Sequence, residues 1–167
     1  MVAEQVGQRG HVFQLNTSRG GVPKLPVPRA VVTAAGLEGD EHNDKKNHGG
    51  PDRALCLYSV ENFLRLQAEG HPAYPGAIGE NVTTAGIDFA RLRPGDRLRL
   101  GDAVLIEITR YTTPCYKIEA AFRDGEFTRI AQKIHPGEAR VYARVLRGGE
   151  LWPGAPIVLE PRAGAGP

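Results

Sequence analysis

The chain has 167 residues, with 21 basic and 19 acidic side chains giving a formal charge of +2. That length supports one domain with a substantial core, and the near-balanced charge argues against the basic stripe of a nucleic-acid binder. No apolar run approaches the roughly 20 residues needed to span a bilayer, and Met1–Gln5 lacks the basic and apolar regions of a signal peptide, so a cytoplasmic location is expected.

Glycine and proline are abundant, at 21 and 13, and fall between short β-type runs, the pattern of a mainly β sandwich or barrel. Strands are expected at His11–Asn16, Arg29–Thr33 and Ala54–Ser59. Ser59 is placed to cap a helix over Val60–Glu69, with Val60, Phe63, Leu64 and Leu66 facing inward and Gly70 as its stop. Further strands are expected at Asn81–Thr84, Arg97–Leu100 and Ala103–Arg110, with a tight turn at Gly101-Asp102 between the last two. A second helical stretch, Tyr116–Lys133, broken at Asp124-Gly125, precedes strands at Ala139–Leu146 and Pro156–Glu160. Arg93-Pro94-Gly95-Asp96, Gly148-Gly149 and Trp152-Pro153-Gly154-Ala155 read as turns. The domain is expected to cover residues 1–161, with a disordered Gly/Pro/Ala-rich tail at 162–167.

Cys115 ends the strand-like run that begins at Ile106, directly after Pro114, which has no N–H to continue a ladder. A thiol just past such a stop is held on a rim. Arg110 and Lys117 flank it, and nearby positive charge favours the thiolate, the form that ligates metals and attacks electrophiles. A helix starting at Cys115 or Tyr116 would add to that effect through its N-terminal partial charge. The other cysteine, Cys56, lies in an apolar run and reads as packing, and no disulfide is expected between the two.

A second polar segment runs from Gly39-Asp40-Glu41-His42 through Lys45-Lys46 to His48-Gly49-Gly50-Pro51-Asp52-Arg53. Its glycines let backbone N–H groups approach a ligand or line an anion nest, and Asp40, His48 and Arg53 add polar side chains. Gly79-Glu80-Asn81-Val82-Thr83 supplies another glycine-led turn. Plainer readings are a structural metal site at Asp40, His42 and His48, a salt bridge at Arg53, and a solvated tip at Lys45-Lys46. His11, His71 and His135 read as structural.

Gly-Asp-x-His, His-Gly-Gly-Pro-x-Arg, Gly-Glu-Asn-Val-Thr and Thr-x-Pro-Cys-x-Lys, in that order between Gly39 and Lys117, resemble the MOSC family. The family is named for molybdenum cofactor sulfurase C-terminal domains. With no aminotransferase-like region in the sequence, the chain resembles the stand-alone bacterial type.

The resemblance implies a single-domain β-barrel, MOSC-like and akin to the pyruvate-kinase barrel, with a few short helices. It also implies a molybdenum cofactor (Mo-molybdopterin), with Cys115 as metal ligand. Asp40, Asn81, Thr83 and the backbone near Gly39 and Gly79 would then serve the pterin. Arg53, Arg110, Lys117 and the His48-Gly49-Gly50 backbone would serve its phosphate, and His48 or Asp40 would relay protons. The activity implied is reduction of N-hydroxylated small molecules with electrons from an external donor. Two other readings use the same cysteine or cavity: a sulfur carrier bearing a Cys115 persulfide and fed by a sulfur donor, and a non-enzymatic carrier of the cofactor. Neither nucleic acid nor membrane is an expected partner.

Overall fold

A computed structural model describes residues 8–41 and 50–161. Its framework is a closed barrel. Strands β1 (Arg9–Thr17), β5 (Leu55–Ser59), β6 (Val82–Ala85), β7 (Arg97–Leu100), β8 (Val104–Tyr111), β9 (Val141–Arg147) and β11 (Pro156–Leu159) follow the order β11-β7-β8-β9-β5-β6-β1. The ring closes where Arg9–His11 of β1 pair antiparallel with Pro156–Val158 of β11. A short β2 (Leu25–Val27) lies outside the ring on β1, and β10 (Gly149–Leu151), β3 (Ala30–Thr33) and β4 (Gly36–Leu37) form a separate three-stranded sheet.

Residue patterning explains the faces. β7 alternates Arg97-Leu98-Arg99-Leu100, exposed then buried, and β8 buries Val104, Ile106 and Ile108 in the same two-residue period. All five residues of β5 are buried because helix α1 (Val60–Ala68) packs against β5 and β6 on the side away from the barrel interior. Ser59 caps α1 by accepting from the Asn62 N–H at 3.1 Å. Buried Phe63 and Leu66 carry the helix's packing, whereas Leu64, expected inward, is exposed and Val60 is half-buried. Tyr58 meets Phe63 edge-to-face with ring centroids 5.0 Å apart, joining helix to strand.

Every pairing in the ring is antiparallel except β5 with β6, where α1 lies in the crossover. The segments leading into β5 and β6 therefore arrive at the same end of the barrel, whereas the start of β9, antiparallel to β5, lies beside the end of β8 and toward the end of β5. Among the described residues no helix is long and apolar enough to cross a membrane.

Two expectations are corrected. The stretch Tyr116–Lys133 forms no α-helix but three short 3₁₀ turns, Tyr116–Ala121, Arg123–Gly125 and Phe127–Ile130. Asp124, at φ 56, breaks them apart where the sequence break was expected. Gly148-Gly149 does not turn the chain into the closing strand, because Gly149 opens β10 and pairs with Val32. The turns at Arg93–Asp96 and Trp152–Ala155 form as expected, closed by backbone hydrogen bonds of 3.0 Å.

Candidate functional site

A cavity of about 420 Å³ lies where the approaches to β5 and β6 meet the junction between β8 and β9. From the end of β8 come Cys115, Lys117 and Ile118; from the entry to β5 come Arg53 and Cys56. Ile78, Gly79 and Asn81 arrive on the approach to β6, and Arg140 and Tyr142 at the start of β9. Gly21, Val22 and Lys24 add a lip with Glu41.

Cys115 is half-buried and its thiol is free. β8 stops at Tyr111, after which the Thr112 N–H donates to the Arg140 carbonyl at 2.8 Å and Pro114 is buried. Buried Ile118 then fixes the 3₁₀ turn that follows. The cysteine thus sits on a short tether held at both ends, on the rim that Pro114 suggested. The α-helix whose N-terminus was expected to act on it does not form.

Arg140 is the main residue that the sequence reading missed. It lies just before β9, 6 % exposed, and its Nη1 donates to the Ile78 carbonyl at 2.8 Å. Its Nε is buried with no hydrogen-bond partner among the described residues. A guanidinium in a cavity wall with one donor unanswered is poised for an acceptor. Arg53 lies with its guanidinium carbon 5.6 Å from the centroid of the Tyr142 ring, so the two side chains build one wall together. Burial pushes the Tyr142 phenol up to about 12. Counting Lys24 and Lys117, the described lining carries four cationic side chains against one carboxylate, Glu41.

The expected residues divide. Cys115, Arg53, Gly79, Asn81 and Lys117 come together at the cavity. Gly79, at φ 84, would bring a Cβ to 3.2 Å from Val22 Cγ1, so its lack of a side chain keeps the lip open. Asn81 is 1 % exposed: its Oδ1 accepts from the Cys56 N–H at 3.0 Å and its Nδ2 donates to Asp40 at 2.8 Å. It therefore splices the polar lip to β5.

Asp40 is not in the lining. Its carboxylate takes the Lys24 ammonium, the Asn81 amide and the Ser18 N–H, an arrangement that leaves little room for proton relay. Thr83 is fully buried, bonded to Glu80 and Asn16, and Arg110 is exposed on β8 outside the cavity. Gly39 and Gly50 have open space where a Cβ would stand and do not line it either. His48 and Gly49, with His42 and Lys45-Lys46, lie outside the described residues, as does the tail at 162–167. No cluster of three metal-ligating side chains occurs among the described residues.

Cys56, read as packing, is 6 % exposed yet forms part of the cavity wall. Burial pushes its thiol up, opposed by the Arg140 charge. Glu80 was also passed over as part of a turn motif. It is fully buried, and desolvation pushes its carboxyl up to about 7 despite hydrogen bonds from the Gly76 N–H and the Thr83 hydroxyl. The available sequence cue for Arg140 was an arginine inside an apolar strand-like run.

The family model described as the MOSC domain matches residues 44–158. The chain belongs to the MOSC domain family. Protein YiiM of Escherichia coli (strain K12) is 35 % identical over 136 residues, which are 79 % of this chain and 59 % of that protein. A protein named Reductase from Gibberella moniliformis is 33 % identical over 131 residues, covering 76 % of this chain and 23 % of its own length. This MOSC chain therefore spans about three fifths of the bacterial relative and a small part of the fungal one. The crystal structure of YiiM from Geobacillus stearothermophilus superposes with a TM-score of 0.71 at 27 % identity, covering 93 % of this chain and 77 % of that one. The resemblance is thus to stand-alone YiiM-like proteins.

Proposed function

We propose that the cavity binds a phosphorylated molybdenum pterin dithiolene, with the Cys115 thiolate as protein ligand, and that the chain reduces N-hydroxylated compounds. The observation that carries this reading is the pairing of a half-buried, rim-held thiol with a cavity whose described walls are cationic. The donor set suits the group. A thiolate is the soft ligand that molybdenum accepts beside dithiolene sulfurs. The unanswered Arg140 Nε, with Arg53 and Lys117, offers donors and charge to a phosphate.

When bound, the cofactor supplies a two-electron redox centre, and the protein supplies position and electrostatics. Reduction of R–NH–OH to R–NH₂ breaks the N–O bond, consumes two electrons and two protons, and releases water. Electrons come from an external donor. Glu41, on the cavity lip, is better placed to pass protons than Asp40, whose carboxylate is tied to Lys24. The relative named Reductase supports an enzymatic role.

The test is metal and pterin analysis of protein from a molybdenum-sufficient host, wild type beside Cys115→Ser. Near-stoichiometric molybdenum and pterin, with metal lost in the variant, would support the reading. A Cys115 persulfide with neither molybdenum nor pterin would replace it with sulfur transfer. Cofactor retained without turnover of an N-hydroxylated base, given a chemical reductant, would make the chain a carrier.

A further inference from the structure

Three buried polar atoms lack a hydrogen-bond partner among the described residues: Glu80 Oε1, Thr112 Oγ1 and Arg140 Nε. They are linked through the backbone: the Thr112 N–H donates to the Arg140 carbonyl at 2.8 Å, and Arg140 in turn reaches the segment that carries Glu80. Glu80 sits two residues beyond Ile78, whose carbonyl holds Arg140 Nη1. Its Oε2 is fixed by Gly76 N–H at 3.0 Å and Thr83 Oγ1 at 2.8 Å, which leaves Oε1 as the oxygen that gains or loses a proton unassisted.

A buried carboxyl within electrostatic reach of a buried guanidinium has two states of different use to the cavity. Ionised, it offsets the Arg140 charge. Protonated, it leaves that charge available to a ligand in the cavity. Its other ionisable neighbours are Cys56, Tyr58 and Lys24. Burial pushes the thiol of Cys56 and the phenol of Tyr58 on β5 upward, and Lys24 beyond Gly76 is ion-paired with Asp40.

We propose that Glu80 is a positioning residue that couples anion binding in the cavity to uptake of one proton, so that the anion is held when Glu80 is neutral and released when it ionises. The proposal rests on the reading of the cavity as an anion site. It extends that reading by giving the affinity a pH dependence set from beneath the wall. By linkage, one proton changes affinity by at most about tenfold per pH unit.

Sulfate is the probe, since its own charge is constant near neutrality. Calorimetric titration of the wild-type chain, in two buffers of different ionisation enthalpy, should show net proton uptake. Binding should be roughly fivefold weaker at about pH 8 than at about pH 6. Glu80→Gln, which fixes the neutral state, should bind at both pH values with less than about a twofold difference. An infrared difference spectrum of the wild type should gain a protonated-carboxyl C=O band on adding sulfate. That readout separates Glu80 from the histidines and stands even if the variant does not fold. Sulfate binding without proton uptake or the carboxyl band would overturn the inference and leave the cavity reading intact. No sulfate binding at either pH would overturn both.

Discussion

The Lys24 ammonium closes on the Asp40 carboxylate beneath the lip of the cavity, with 7 % and 3 % of the two side chains exposed. Lys24 is tied in further by its N–H to the Gly76 carbonyl at 2.8 Å, and Asp40 by the Ser18 N–H at 2.9 Å. The pair is a bracket between three loops.

Asp40→Ala should therefore act on the fold. Removing one partner of a buried pair leaves the other charge uncompensated, at a cost of about 3–5 kcal/mol. Urea denaturation of Asp40→Ala against wild type measures it. A loss under about 1 kcal/mol would show that Lys24 finds water and that the bracket is dispensable.

The two cysteines should differ sharply towards an alkylating reagent. Cys115 is half-buried on the rim, whereas Cys56 is 6 % exposed and burial pushes its thiol up. In the native apo chain iodoacetamide should label Cys115 faster by about two orders of magnitude, the ratio collapsing in denaturant. Peptide mass spectrometry over a time course reads both sites. Equal native rates would mean that the wall opens to solvent at Cys56.

Glu80 gives stability an unusual slope near neutrality. Its folded pKa, about 7, is raised above the ordinary 4.5 by burial. The stabilisation it contributes is complete below that ordinary value, declines above it and is lost as pH rises through about 7. Denaturation midpoints across this window should fall for wild type and stay flat for Glu80→Gln. Identical slopes would assign the effect to another group.

Glu69 works in the opposite direction at lower pH. Hydrogen bonds from Arg129, at 2.7 and 2.6 Å, hold its carboxyl down to about 2, and Arg129 also reaches Glu138. The contribution is present above 4.5 and lost as pH falls towards 2. Because 44 % of the Glu69 side chain is exposed, Glu69→Gln should cost below about 1 kcal/mol near neutrality, and less in high salt. Thermal melts of the variant at two salt concentrations check this, and a salt-independent loss would point to packing instead.

The barrel strands were legible because each carries its own signal. Alternation marks β7 and β8, an apolar run marks β5, and Ser59 announces α1. The strands that escaped, Leu25–Val27, Gly36–Leu37 and Gly149–Leu151, are two or three residues long, too short to carry an alternation, and Gly149–Leu151 also owes its pairing to Ala30–Val32, distant in sequence. The same limit applies to the site. Cys115, Arg53 and Gly79 sit in motifs with local punctuation, whereas Lys24 and Arg140 reach the cavity only through barrel closure and pairing. The Tyr116–Lys133 stretch has helical apolar spacing, but Asp124-Gly125 and successive short turns cut it into pieces too brief for an α-helix.

The lone parallel joint between β5 and β6 has a consequence for how such a protein can diversify. With strands running the same way, the segments leading into both must arrive at the same mouth, where an antiparallel neighbour would have sent one of them to the far end. That doubles the supply of irregular chain around the cavity while the ladder beneath remains unchanged. Insertions, deletions and charge changes in the approaches to Leu55 and Val82 can therefore reshape what the cavity admits without re-registering a single barrel strand. Recognition and scaffold are left free to drift apart.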